Sequence, residues 1–555
     1  MDKTGATGLD RARSLCGEYG VFFAAAFLAF LPHFQKGVIP WNDAAYHLSR
    51  IETLYEALCA GIFPVKVHPS FGGYGYGSGF FYPNTLLYLP AVLMLLGLSL
   101  EAAYKLFTYV LLVALTTAMY QSCKALSCDR QVSALLATGY LFSDRILYNI
   151  YDRYALGETS AAIFLPIAVS GVYLFMVKGS SPLRMIAGVT GLVHTHTITT
   201  MLTACACVIL LLLSVKKIRR PKDKLLWSVL SAGVTLAVCA SYLLPMWQQM
   251  RAQRLRAAAP WAVSSEYTVA LTEMAAPSGI GLPVLLLTLF CCCRMLFARN
   301  KKPAMYGHAV PFLVVGVGAA LLPSARGFFL LMNRLGIRLI QFPNRIYSIA
   351  IVFLLFYCGR ILSHGEALPG TVPGWRHGAG RVVALVTILL ALHACFIFRY
   401  IQPAQDTILQ QVFGYGNDTL GAGEWLPLET DARILTTPET AVDERGAPVT
   451  GEKGSNGRYY YMQAAAESGY YVVPYIYYRG YEAVAETGEV LATGKDPDSG
   501  LLKVETPKGG LAQGTGITVQ YTGTALMRIS YLLSVVGLVS CVILNTAWER
   551  KHRNR

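Results

Sequence analysis

The chain has 555 residues, of which 54% are hydrophobic and only 14% charged, at a mean hydropathy of +0.44. That balance excludes a single water-soluble domain, and the length leaves room for many apolar stretches of the roughly 20 residues that a membrane span requires. The formal net charge of +15 is not a nucleic-acid patch: residues 401–525 hold 16 acidic against 8 basic residues, and the bases elsewhere collect in short loops at 216–224, 299–302 and 550–555. Basic loops of this kind mark the inner side of a membrane.

With bases placed inside, the first span falls at 19–34 and delivers an outer loop, 35–81. The apolar run 21–31 is read as this span and not as a cleavable leader, because no small-residue cleavage site follows it. The loop opens Trp41-Asn42-Asp43-Ala44-Ala45-Tyr46-His47-Leu48-Ser49-Arg50. Asn42 is a good helix cap, and Leu48, Ile51, Leu54 and Leu58 recur at helical spacing, which predicts an amphipathic helix lying at the outer interface. Asp43, His47 and Arg50 share one face of it. A carboxylate, an imidazole and a guanidinium so placed can take a proton, bind a metal and grip a phosphate. The plainer alternative is that Asp43 favours the helix N-terminus and Arg50 snorkels.

The same loop continues through Gly72, Gly73, Tyr74, Gly75, Tyr76, Gly77, Ser78 and Gly79 to Phe80, Phe81, Tyr82 and Pro83. No strand precedes these glycines and no Lys-Ser/Thr follows them, which excludes a nucleotide loop. They predict a mobile lid whose rings, Tyr74, Tyr76 and Tyr82 among them, stack on sugar or lipid; interfacial anchoring of the aromatics is the alternative.

The next apolar run, 84–98, is short and starts behind Pro83. Were it to cross, the basic segment 124–130 would lie outside and the sign of every later loop would invert. It is therefore expected to be a juxtamembrane, half-inserted helix. Spans are then expected at 103–122, 131–147, 159–177, 184–197, 199–215, 225–245, 279–297, 306–322, 345–362, 380–398 and 526–546, twelve with the first. An even count puts both basic termini inside.

Three charged motifs then fall at the outer ends of spans. Tyr151-Asp152-Arg153-Tyr154-Ala155-Leu156-Gly157-Glu158 sets three charges beside apolar runs, where ionisable groups are costly and usually functional or paired. His194-Thr195-His196 interrupts an apolar stretch too long for one crossing, so two short helices are expected to meet there, and the i, i+2 spacing lets at most one imidazole reach a site. Gln341-Phe342-Pro343-Asn344-Arg345 points Arg345 into the outer vestibule, placed for a bidentate grip on an anion.

Residues 401–525 are a different material: alternating stretches at 470–477, 481–486, 501–505 and 517–521 with turn signals such as Asp498-Ser499-Gly500 predict a small β-rich domain, sandwich-like. No cysteine falls in it, which excludes a disulfide framework. The expected fold is thus an α-helical polytopic membrane protein: a transmembrane domain over 1–400, an extracytoplasmic β-rich domain over 401–525, and a last span with a basic cytoplasmic tail over 526–555.

The loop-one Asp43, the amphipathic helix after it and the run Phe81-Tyr82-Pro83-Asn84-Thr85-Leu86-Leu87-Tyr88 resemble the GT-C superfamily of membrane glycosyltransferases, which use polyprenyl-phosphate sugars. Together with Gly421-Ala422-Gly423-Glu424-Trp425-Leu426-Pro427, the charged motifs more closely resemble a bacterial branch labelled 6-pyruvoyl-tetrahydropterin synthase-related membrane protein, similar to YfhO-type proteins. The resemblance implies inverting sugar transfer from a polyprenyl-phosphate donor to an envelope glycan, teichoic-acid-like polymer or lipid, outside the plasma membrane of a bacterial cell. Asp43 matches the base; Arg153, Arg345 and His47 are assigned to the departing phosphate. A Mg²⁺ or Mn²⁺ held by Asp43 and Glu158 is an option, and Arg50, Tyr74, Tyr76, Tyr82, His194 and His196 are the expected substrate or acceptor contacts. Two departures from the pattern stand out: no second acid adjoins Asp43, and Asn84 replaces the second proline of the usual Pro-Pro. The rival is a non-catalytic transporter or assembly factor for envelope polysaccharide, which should show pseudo-symmetric halves and mid-span charges; no internal repeat is evident.

Overall fold

A computed structural model describes residues 8–38, 43–68, 73–218, 221–258, 263–297, 303–337, 340–364, 423–430, 440–454, 459–465 and 467–553. The span expected at 380–398, the cap Asn42 and the first part of the β-rich segment, 401–422, lie outside them.

The protein is an integral membrane protein. Among the described residues five helices are long and apolar enough to cross a bilayer: Leu100–Ala125, Leu156–Lys178, Tyr306–Ser324, Pro343–Ser363 and Ala525–His552. A sixth arises if the pair Asp223–Val238 and Ala240–Ala252, bent by 73°, is one broken span. Length and composition therefore do not reach the twelve spans expected. Several expected crossings are shorter apolar helices, Tyr19–Phe34, Leu183–Val193, Thr197–Leu213 and Leu282–Leu296. The stretch 131–147, expected as one helix, is two, Arg130–Leu141 and Asp144–Tyr151, broken at Phe142 and Ser143. Twelve residues in the first of them rise about 18 Å, well short of the roughly 30 Å hydrocarbon core. The run at 84–98 forms a 3-10 turn, Thr85–Leu87, and the eight-residue helix Tyr88–Leu95, which rises only about 12 Å.

Burial ranks the helices. In the most apolar 18-residue stretch of each helix, 83% is buried in Pro343–Ser363 and 72% in Leu156–Lys178, against 17% in Ala525–His552, so the first two form the centre of the bundle and the last lies on its rim with an apolar surface suited to lipid. Leu100–Ala125 starts where Ser99 Oγ accepts the Ala102 N–H at 3.2 Å, with Glu101 in its first turn and Lys124 in its last, as the helix dipole favours.

Among the described residues the β-rich part is one antiparallel sheet of nine strands: β1 Ala441–Asp443, β2 Pro448–Val449, β3 Gly451–Lys453, β4 Tyr459–Gln463, β5 Tyr470–Ile476, β6 Tyr481–Ala485, β7 Val490–Lys495, β8 Leu501–Glu505 and β9 Gly516–Tyr521. Their order is β2-β1-β5-β8-β7-β6-β9-β4-β3. The two edge strands β2 and β3 are neighbours in the chain, separated by Thr450 alone, and the Gln463 N–H donates to the Thr450 carbonyl at 3.0 Å. The sheet therefore curls until its edges meet, a barrel-like form instead of the sandwich expected. Strand β7 makes the corner: Val490 and Leu491 pair with β6, and Ala492 to Lys495 with β8. Closure removes the exposed edges that an open sheet leaves. Alternation puts Tyr460 and Met462, Ala483 and Ala485, Leu502 and Val504, and Ile517 and Val519 inside.

The glycine-rich segment is not a lid over its described residues. Tyr74, Tyr76, Phe80 and Phe81 are buried in one core with the sheet. The Ile476 N–H donates to the Tyr74 carbonyl at 2.8 Å, and the Phe81 ring stacks on Trp425 at 4.9 Å and 15°. A Cβ on Gly77 would stand 2.5 Å from the Tyr478 ring, and one on Gly79 would stand 2.7 Å from the Lys66 carbonyl oxygen. These glycines permit close packing, and burying four aromatic rings, each carrying about 150–250 Å², outweighs the freedom that glycine would give a loop.

Candidate active site

At the sheet-bearing end of the bundle a cavity of about 420 Å³ is lined by Asp43, Tyr46, His47, Tyr76, Tyr82, Tyr148, Arg153, Ala155, Glu158, His196, Gln341, Phe342, Asn344, Arg345, Glu424 and Trp425. All four charged or polar motifs of the sequence thus contribute to it. Asp43 is the N-cap of the helix Ala44–Cys59, but its side chain makes no capping hydrogen bond. Its backbone is fixed instead: the Asp43 N–H donates to the Arg153 carbonyl at 3.1 Å, and the Asp43 carbonyl accepts from His47 at 3.0 Å. The carboxylate is left at 47% exposure with one oxygen 3.8 Å from Arg153. Loss of water in the cavity raises its pKa above the usual carboxylate value, and Arg153 pulls in the opposite direction.

Glu158 occupies the opposite role. Its side chain is 5% exposed and meets three guanidinium groups: Arg145 at 3.0 Å, Arg153 at 2.8 Å, and Arg345, whose Nε lies 3.0 Å away. The Arg345 Nε is close enough for ion pairing but is not aligned for a hydrogen bond. Asn149 donates to the same carboxylate at 3.4 Å. One buried anion thus holds three cations in place, leaving positive charge in excess around it. Arg145 is fully enclosed and also donates to the Ser278 carbonyl at 3.1 Å; Arg153 and Arg345 keep part of their surface on the cavity, so each can offer further N–H donors to an incoming anion.

The imidazoles are neutral donors. His196 caps the helix Thr197–Leu213, its Nδ1 accepting the Thr199 N–H at 3.3 Å, which assigns the proton to Nε2. Burial pushes its pKa down to about 4. Burial and the adjacent Arg50 also hold His47 well below the usual histidine range, so His47 reaches the cavity but not as the cation expected in a phosphate clamp. Tyr82 fits only because residue 157 is glycine: a Cβ there would overlap the Tyr82 hydroxyl.

Three expected contacts lie elsewhere. Arg50 is buried beneath Tyr82, donating to the Tyr82 and Pro83 carbonyls at 3.1 and 2.9 Å and to Asn84 Oδ1 at 2.6 Å, with its guanidinium 4.4 Å from the Tyr82 ring centre. It clamps the turn that carries Tyr82, and Asn84, the departure from Pro-Pro, supplies one of the acceptors. Tyr74 belongs to the core shared with the sheet. His194 turns away to Thr85 at 3.2 Å and lines a small cleft beside Arg50. Conversely, the sequence reading placed no role on Arg145, Tyr148 or Asn149. Arg145 carries a signal of its own, a charge inside the expected span 131–147, where such a group is costly; Tyr148 and Asn149 lie just beyond that span.

A divalent ion shared by Asp43 and Glu158 does not fit this donor set. Both Glu158 oxygens already face guanidinium groups, whose charge would repel a metal, and among the described residues no group of three or more His, Cys, Asp or Glu is placed to hold one.

No family model and no curated protein matches the sequence. Among solved structures the arabinofuranosyltransferase AftD from Mycobacteria is similar over 68% of this chain at 16% identity with a TM-score of 0.44. A mutant of AftD is similar over 69% at 17% identity with a TM-score of 0.44. The chain spans 26% and 28% of those two chains, about a quarter of their length. A likeness so remote carries no argument about activity, and it gives the narrower branch label no support.

Proposed function

We propose that the protein is a GT-C-type envelope glycosyltransferase that moves a sugar from a polyprenyl-phosphate donor to a glycan, teichoic-acid-like polymer or lipid on the outer face of a bacterial plasma membrane. The observation that carries this reading is the pairing, in one cavity, of a half-exposed carboxylate not spent on capping with two guanidinium groups held by a buried counterion. Asp43 takes the proton of the acceptor hydroxyl as that oxygen attacks the anomeric carbon. The bond from that carbon to the phosphate oxygen breaks on the opposite face, so the configuration inverts. The departing polyprenyl phosphate carries the electron pair away, and Arg153 and Arg345 offset its charge. The proton leaves Asp43 through its exposed edge. His196 Nε2 and the Tyr82 hydroxyl offer neutral donors to the sugar or the phosphate.

Each part has a physical reason. A carboxylate with a raised pKa is a stronger base than one in water, and general-base help of this kind contributes about 10²- to 10⁴-fold. Guanidinium groups fixed before the reaction need no reorganisation as charge develops on the phosphate. A deletion strain restored with Asp43→Asn or Arg153→Gln tests the reading: expression should be normal and the envelope glycan profile should stay that of the deletion. Full restoration by either variant would mean that the cavity does not catalyse transfer.

A further inference from the structure

A second cavity of about 420 Å³ lies farther along the same first-loop helix, Ala44–Cys59, lined there by Thr53, Glu56 and Ala57. Its other walls are the segment 62–67, strands of the sheet, and the first turns of the last span. Two of its phenol hydroxyls, those of Tyr475 and Tyr531, are buried oxygens with no hydrogen-bond partner among the described residues, and Tyr475 as a whole is 5% exposed. A buried hydroxyl left unpaired costs about 1–3 kcal/mol, and each such group asks for an explanation. Tyr475 and Tyr481 stack on each other at 5.5 Å and 19° and together form one aromatic wall of the groove. The Lys66 ammonium is part-buried, donating to the Ser241 carbonyl at 3.4 Å, and among the described residues no carboxylate pairs with it. Arg528 stands exposed at the rim.

An aromatic wall, unpaired hydroxyls and two cations against the single acid Glu56 among the lining residues make a poor seat for an acyl chain and a good one for an anionic polyol. We propose that this groove binds a saccharide bearing a phosphate or carboxylate group, with the sugar against the Tyr475–Tyr481 pair, its hydroxyls on Tyr475 and Tyr531, and its charge between Lys66 and Arg528. The groove adjoins the start of Ala525–His552, so a glycolipid head and a polymer end share the chemistry it takes. The site is separate from the transfer chemistry and does not depend on it.

The test uses full-length protein in phosphatidylcholine nanodiscs, titrated calorimetrically with glucose 1-phosphate, glucose and inorganic phosphate. Arg345→Gln separates this groove from the first cavity. Expected is a glucose 1-phosphate site that survives Arg345→Gln, weakens at least tenfold with Lys66→Gln or Tyr475→Phe, and disappears when Thr522→Trp, at an exposed lining position, fills the groove. Glucose and phosphate alone should each bind more weakly than the conjugate. Absence of binding, or binding lost with Arg345→Gln and indifferent to Lys66→Gln and Thr522→Trp, overturns the proposal. So does loss of the site in phosphatidylglycerol discs, which would make it a phospholipid seat. None of these outcomes bears on whether Asp43 is required for the glycan profile.

Discussion

Replacing Glu158 by glutamine keeps the shape of the side chain and removes its charge, which isolates what the buried anion does. Its carboxylate is 5% exposed and sits at 3.0, 2.8 and 3.0 Å from Arg145, Arg153 and Arg345. Arg145 is completely enclosed and cannot recover solvation, and the new amide would turn N–H groups toward guanidinium donors. Removing one partner of a buried ion pair costs about 3–5 kcal/mol, and here three cations share the one anion. Asp43→Asn is the internal control: at 47% exposure and 3.8 Å from Arg153, that pair contributes about 0–1 kcal/mol. Thermal unfolding of the purified protein in nanodiscs, followed by tryptophan fluorescence, should therefore show a large drop for Glu158→Gln and almost none for Asp43→Asn. Adding Arg145→Met to Glu158→Gln should recover part of the loss, because contacting residues couple. Equal unfolding temperatures for wild type and Glu158→Gln would refute the assignment of Glu158 as the counterion.

Gly157→Ala should destabilise by about 1–3 kcal/mol through overpacking, since the new methyl overlaps the Tyr82 hydroxyl and presses on its ring at 2.8 and 3.0 Å; Tyr82→Phe in the same background should relieve part of it in the same unfolding assay. The pH profile of stability follows from His196, whose pKa is about 4 in the folded protein against an ordinary 6.5. As pH falls the unfolded chain takes the proton first, so this contribution is intact above about pH 6.5 and is lost between there and pH 4, by up to about 3 kcal/mol. Unfolding temperatures measured from pH 7.5 to 4 should fall less steeply for His196→Asn than for wild type. Trp425→Ala removes the ring stacked on Phe81 and the side chain that closes the cavity from the sheet side, so it should weaken phosphate-ligand retention as well as stability.

Much of the site was legible because its chemistry sits in short runs: Asp43 with His47, Arg153 with Glu158, and Gln341 with Arg345 each announce charge beside apolar sequence, and the cavity gathers all of them. Arg145 was hidden because the break at Phe142 and Ser143 carries neither Gly nor Pro, so the apolar stretch read as one span. Arg50 and His47 changed meaning for a reason that spacing does not encode: both are enclosed by Tyr82 and the turn behind it, which makes one a clamp and the other neutral. The glycines at 73–79 read as flexibility because their packing partners, Tyr478 and Lys66, are distant in sequence or invisible to local pattern. Strand positions in β5, β6, β8 and β9 followed from alternation, but curling into a barrel depends on β2 and β3 meeting across Thr450, a long-range outcome. The span count was the least legible part, since helices of eight to seventeen residues carry the same composition as the five long ones, and the span expected at 380–398 lies outside the described residues.

The central claim is that Arg153 and Arg345 receive a lipid phosphate beside Asp43, and the most direct measurement is an experimental structure of the full-length protein in nanodiscs loaded with undecaprenyl phosphate. The account predicts phosphate density in hydrogen-bond contact with both guanidinium groups and within the cavity that Asp43 lines, and loss of that density with Arg345→Gln. A phosphate bound elsewhere on the protein, or bound equally well without Arg345, would contradict it.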